Sequence, residues 1–188
     1  FNLGVMVNPE VDYLKAKVEN ETWIVAKALA APVISIVADK TYETIEEFKG
    51  LQLQGLEYTH PWGKDIPFSE LKEKHPNVHT VVLSKEYVTT DSGSGLVHMA
   101  PGCGPEDYEV GHENNIPPFN NINERGIFPE SMGQFSGLTA KEDDKKFIQA
   151  LGSNLIASTK VDHEYAHCQR CHNPIVFKTT PQWFFRVE

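Results

Sequence analysis

The stretch Gly93-Ser94-Gly95-Leu96-Val97-His98-Met99-Ala100-Pro101-Gly102-Cys103-Gly104-Pro105-Glu106-Asp107-Tyr108 constrains this chain more than any other. It opens on a tight Gly/Ser turn and runs into a short apolar strand carrying one histidine. It then crosses a Gly/Pro loop and enters a helix with an acidic first turn. Glycine tolerates backbone conformations closed to other residues, and proline suits the first position of a helix. The pattern predicts strand, tight loop and helix start in succession, with His98 and Asp107 nine positions apart across the connection.

Each polar group here has a plain and a functional reading. His98 is either a hydrogen-bonded histidine in a mostly apolar strand or a pocket residue acting as steric gate, hydrogen-bond partner or general base. Asp107 either compensates the helix dipole or offers a carboxylate to an ammonium group in the same pocket. Gly102-Cys103-Gly104 is either a simple connection or a place where backbone N–H groups approach an anion. No Gly-Lys-Ser/Thr follows it, so it is not a nucleotide-phosphate loop. Ser94 lacks the glycine two residues earlier that a nucleophile elbow needs, because Ser92 stands there. No Ser/His/Asp order is supported, which argues against a covalent mechanism.

The rest of the chain predicts an α+β fold, in the manner of a distorted barrel with flanking helices. Tyr13–Val18 and Thr22–Val25 alternate with period two around Glu19-Asn20-Glu21, a β-hairpin pattern. Ala26–Ala31 favours helix, and Val33–Val37 could extend it or form a strand. Val78–Leu83, Tyr87–Thr90, Gly95–Ala100 and Leu155–Val161 are strand candidates. Ser69–Lys74 and Glu106–Asn114 are short helices, and His60–Asn77 reads as a surface excursion. Thr139 with Glu142 three residues later predicts a capped helix running to about Leu151 and stopping at Gly152. Residues 1–162 form the main domain in this reading. Residues 163–188 form a distinct segment with Cys168, Cys171 and the exposed-looking Trp183-Phe184-Phe185.

At 188 residues with a net charge of −9, a pI near 5.4 and only three arginines, the chain is poorly suited to binding nucleic acid alone. No apolar run reaches the length that crosses a membrane, and no secretory leader is present. Three cysteines make no disulfide framework, and Cys168-x-x-Cys171 points to metal or redox chemistry in a reducing compartment such as the cytoplasm. Zinc is the metal this spacing suits, but the pair supplies only half of a four-ligand site, which His163, His167 or His172 could complete. The start at Phe1, in mid-pattern, fits a piece of a longer protein.

The segment Tyr87–Tyr108 resembles the editing domain of isoleucyl-tRNA synthetase, the insertion called connective polypeptide 1. Asn120-Asn121-Ile122-Asn123-Glu124-Arg125-Gly126-Ile127-Phe128, His167-Cys168-Gln169-Arg170-Cys171 and Thr180-Pro181-Gln182-Trp183-Phe184 extend the resemblance over essentially the whole chain. The valyl branch would place lysine at the His98 position. The resemblance implies a β-barrel-like α+β fold and hydrolysis of Val-tRNA(Ile), with Asp107 binding the α-ammonium group and His98 excluding isoleucine. Gly93, Ser94, Gly95 and Gly102 would line the same substrate pocket, and a water would attack without a protein nucleophile. The implied partners are the tRNA(Ile) 3′ end with its misattached valine and the rest of the synthetase, in a monomer. Editing itself needs no cofactor, and ATP with magnesium would serve only a catalytic core outside this chain. The resemblance also expects a Thr-Thr-Thr-Pro-Trp-Thr strand before Phe1, with threonine at Ser94 and histidine at Cys103. The zinc site would draw a second cysteine pair from upstream. A non-catalytic zinc-ribbon-like binding module, a valyl- or leucyl-type editing domain and a free-standing editing protein are the competing readings.

Overall fold

The computed structural model describes residues 1–160 and 164–187. Six strands form two three-stranded sheets. The first sheet has β1 (Gly4–Val7) at its centre, parallel to β5 (Thr80–Leu83) and antiparallel to β6 (Leu96–Met99). The second is antiparallel and has β2 (Asp12–Val18) between β3 (Glu21–Ala26) and β4 (Glu43–Lys49). Three short helices accompany them: α1 (Phe68–Lys74), α2 (Pro105–Glu113) and α3 (Asp144–Leu151). The architecture is α+β, and the described sheets do not close into a barrel. No described helix is long and apolar enough to cross a membrane.

Strand periodicity explains the two cores. Side chains alternate across a strand, so one strand can serve two faces. From β1, Met6 enters a core with Phe68, Val82, Met99, Val110 and Phe135. Val7 enters the other, with Tyr13, Leu14, Val25, Leu29 and Ile34 beneath the hairpin sheet. The first sheet is thus covered on both sides, which is why Val5-Met6-Val7 and Thr80–Leu83 read as continuous apolar runs.

The hairpin forms as its alternation predicts, through the turn Glu19–Asn20, with Val18 opposite Glu21. Ala26 ends β3 rather than starting a helix. A 3-10 turn at Lys27–Leu29 and a π-helical turn at Ala31–Val37, with Pro32 near its start, follow. The β-branched run therefore extends a helix. Tyr87–Thr90 is not a strand. Val88 is buried in the first core, and its carbonyl is taken by the Asn8 side-chain amide at 3.0 Å rather than by a ladder partner. Thr139 does not cap α3, because Lys141 has φ of 80° and breaks the would-be first turn. Asp143 stands at the N-cap instead, and its Oδ2 accepts a hydrogen bond from the Thr139 N–H at 2.7 Å. Residues 155–160 form no strand, and Val161 lies outside the described residues.

His60–Asn77 is not a surface excursion. His60, Ile66 and Phe68 are buried, and Trp62 packs on Phe135 with ring centroids 4.7 Å apart. His60 and His79 lie 5.3 Å apart by ring centroid, each 4.7 Å from Phe68. Burial makes the charged form of each costly. His60 falls to about 4 through burial first, then through His79, the Phe1 α-amino charge and His98. His79 is lowered by burial, against a hydrogen bond to the Asn2 backbone that favours the charged ring. Its Nε2 is buried without a hydrogen-bond partner.

Tyr13 joins the two sheets. Its ring is fully buried, its hydroxyl donates to the Gly95 carbonyl at 2.6 Å, and it accepts the Asn8 N–H at 3.1 Å. Tyr13→Phe strands both backbone groups and should cost about 1–3 kcal/mol in urea unfolding; a midpoint equal to wild type would contradict this role. The two buried histidines also set an acid limit. Their folded pKa values lie below the ordinary value of about 6.5, so the unfolded chain binds more protons at mildly acidic pH. Stability should be unaffected by them above pH ~7, decline as pH drops below ~6.5, and level off in this contribution below the folded values. A His60→Gln variant should show a shallower fall in Tm between pH 7 and 4 than wild type, and an equal or steeper fall would refute the assignment.

Candidate functional site

The site grows from the end of β6. Antiparallel pairing sets His98 opposite Val5, on the strand face that also carries Leu96. The loop carrying His60, Pro61 and Trp62 covers this end of the face and leaves a cavity of about 460 Å³, also lined by Phe1, Asn2, Val5, Leu96, His98 and Leu151. A second cavity of about 430 Å³ shares Phe1, Trp62 and His98 and extends past Cys103, Lys141 and Phe177. Both volumes fall within the range of small-molecule sites. His98 is exposed to water at their mouths, with protein packed around part of its ring. That crowding, with a smaller push from the Phe1 α-amino charge, lowers its pKa to about 4, so the ring is neutral at physiological pH.

Asp107 stands in the first turn of α2, after Gly104 at the N-cap and Pro105 at the helix start. It is half-buried. Burial raises its pKa, a hydrogen bond with the Ala100 backbone opposes this, Glu106 raises it and the Phe1 α-amino charge lowers it. Asp107 lines neither of the cavities that His98 lines; its carboxylate lies beside Gly104, in the loop that leads into α2.

The remaining sequence candidates are placed differently. Gly93 and Gly95 have φ of 74° and 76°, which favours glycine. A Cβ on Gly95 would lie 2.4 Å from the Ala26 Cβ, and the Ser94 carbonyl accepts the Ala26 N–H at 2.9 Å. Their contacts bind the turn to the hairpin sheet, and none of the three lines the His98 cavities. Gly102 lets the loop at Phe119–Asn120 approach, since a Cβ there would meet the Phe119 carbonyl at 2.8 Å. Cys103 shares a cavity with His98, but no hydrogen bond joins them.

Cys168 and Cys171 occupy a tight turn. The Cys168 N–H donates to the Asn173 carbonyl and the His172 N–H to the Cys168 carbonyl, both at 2.8 Å. Hydrogen bonds from the Cys171 and Arg170 backbone, then the Cys171 side chain, lower the Cys168 thiol. Such a turn prepares a thiolate for metal, yet no group of three or more metal-binding side chains occurs among the described residues. His163 lies outside them.

Sequence reasoning missed Asn2, Tyr58, His60 and Trp62. Asn2 donates to the Gly4 carbonyl at 2.6 Å, bonds the His98 Nδ1 at 3.2 Å, and accepts from the Tyr58 hydroxyl. The available clue was the density of aromatic and apolar residues from Tyr58 to Phe68 within an otherwise polar segment.

No protein-family model matches the chain. Curated relatives do. The isoleucine–tRNA ligase of Pyrococcus abyssi is 40% identical over 193 residues, taking in 99% of this chain and 18% of that protein. Those of Methanocaldococcus jannaschii and Petrotoga mobilis are 38% and 35% identical, over 99% and 100% of this chain and 19% of each relative. The chain thus spans under a fifth of the length of these relatives. Among solved structures, the crystal structure of GlLeuRS-CP1 superposes with a TM-score of 0.61 at 15% identity, covering 87% of this chain and 78% of that one. Along its whole length the chain is similar to one segment of the isoleucine–tRNA ligases, and it shares its fold with GlLeuRS-CP1.

Proposed function

We propose that this chain is a proofreading hydrolase unit, which cleaves the ester joining a misattached valine to tRNA(Ile). The observation that carries this reading is the largely apolar cavity of about 460 Å³ bounded by His98, with Asp107 half-buried in the first turn of the helix that follows. An aminoacyl ester presents that combination: an α-ammonium group beside an aliphatic side chain. Asp107, oriented by the Ala100 backbone, would hold the ammonium. Phe1, Trp62 and Val5 supply apolar walls, and His98 limits the length of side chain that fits.

The reaction adds water to the ester carbonyl. The carbon–oxygen bond to the ribose then breaks, the ribose oxygen takes a proton, and free valine and uncharged tRNA leave. Cys103 and Ser94 have no hydrogen bond to an activating histidine, which supports direct attack by water rather than a covalent intermediate. A second site of this kind answers a physical need, because one methylene is worth only about 1–3 kcal/mol of discrimination in a synthetic pocket. The tRNA partner would be presented by the remainder of a synthetase, consistent with the chain's own acidic balance.

Deacylation of Val-tRNA(Ile) and Ile-tRNA(Ile) by the full-length enzyme tests the assignment. Asp107→Ala should lower kcat/KM for the valine ester about ten- to hundredfold, the scale of one hydrogen bond to a charged group. His98→Ala should bring the isoleucine ester toward the valine rate. Unchanged rates in both variants would remove these residues from the site. Zinc binding without any ester hydrolysis would favour a binding module. The acid limb should also be displaced. Asp107 must be ionised to hold an ammonium, and its raised pKa should make kcat/KM decline at a higher pH than an ordinary aspartate would impose.

A further inference from the structure

The hydrogen bonds around Asn2 determine which nitrogen of His98 carries the proton. The Gly4 carbonyl can only accept, so the atom 2.6 Å from it is the Asn2 amide nitrogen. That NH2 group has one hydrogen left, and it lies 3.2 Å from the His98 Nδ1. The Asn2 Oδ1 faces the Tyr58 hydroxyl, which donates to it. The amide orientation is thereby assigned, because flipping it would set Oδ1 against the Gly4 carbonyl, two acceptors at hydrogen-bond distance. His98 Nδ1 must therefore be the accepting nitrogen, and the neutral ring holds its proton on Nε2.

We propose that Tyr58, acting through Asn2, is a positioning residue that holds His98 in the Nε2–H tautomer, so that the ring offers the cavity an N–H donor and no lone pair. The only lone pair of the neutral ring is occupied by Asn2. His98 in its resting state can donate to a substrate oxygen and bound the pocket, but it cannot take a proton from water. Of the roles open to a histidine at a strand end, gate and donor remain and general base does not. The Tyr58 ring packs against His79, 5.5 Å away by centroid. The device is anchored in the buried histidine cluster rather than on a mobile surface. Its catalytic meaning rests on the proofreading reading above; the tautomer itself does not.

Nitrogen-15 NMR of the intact chain, labelled at histidine, separates the two. His98 is assigned as the resonance lost in a His98→Gln variant. Wild type should show a protonated Nε2 and an unprotonated Nδ1 at neutral pH. Tyr58→Phe keeps the ring packing and removes one hydroxyl, and it should lower the tautomer ratio about three- to tenfold, the scale of one neutral hydrogen bond. Asn2→Ala should lower it at least as far. A wild-type Nδ1–H tautomer, or a ratio unmoved by Tyr58→Phe, would overturn the proposal whatever the enzyme's activity. In deacylation by the full-length enzyme, His98→Gln retains a donor and removes any base. A loss of less than about a hundredfold in kcat is expected, and a loss of a hundredfold or more would mark a general base and overturn the donor assignment. Absence of deacylation in wild type would overturn the proofreading reading and leave the tautomer spectra to judge the relay.

Discussion

One buried hydroxyl couples the two halves of this fold. Tyr13 belongs to the hairpin sheet, yet its oxygen donates to the carbonyl of Gly95, the last turn residue before the strand that carries His98. An unpaired carbonyl at that depth would be costly, so the turn is held where the hydroxyl can reach it. The left-handed backbone of Gly95 and its close approach to Ala26 seat the same turn sterically. Polar satisfaction and packing thus agree on one position, and β6 leaves that position already aligned with β1.

From that alignment the pocket is assembled out of segments far apart in the chain. Phe1 and Asn2 come from the approach to β1, His60 to Trp62 from the loop before α1, and Leu96 and His98 from β6. No segment makes the pocket alone. The neutral state of His98 follows from crowding by all three, and the orientation of its ring from the first two. A strand end suits this purpose. The ladder fixes the backbone at His98 through its pairing with Val5, while the side chain next to the last pair faces open space.

What was legible in the sequence tracks what is local. The hairpin announces itself by period-two alternation, and α2 by Pro105 and its acidic first turn. His98 and Asp107 stand out because the connection between them is short and conformationally special. Asn2 carries no such mark, since its importance arises from Tyr58 and His98, 56 and 96 residues away. The Tyr58–Phe68 segment misleads for the opposite reason. Its prolines and charges suggest exposure, while aromatic residues between them pack inward. Thr139 had a capping-box spacing, but a positive φ at Lys141 moved the helix start to Asp143. The glycines of the Gly-Ser-Gly turn were expected in the pocket and instead secure the turn, because sequence shows that a backbone is unusual and not what it approaches.

The placement of β1 at the centre of its sheet has a consequence in time. It is the first strand of the chain, but its partners are residues 80–83 and 96–99. The hairpin sheet, by contrast, pairs residues 12–18 with 21–26 and 43–49 and can close early. Emerging from a ribosome, β1 waits with both edges unpaired until roughly half of the chain has followed it. Contacts of such long sequence separation form slowly, and an apolar strand left open is the point at which a nascent chain is vulnerable to aggregation. The strand that begins the pocket is therefore among the last to be locked in place, and the pocket's geometry is acquired late in folding.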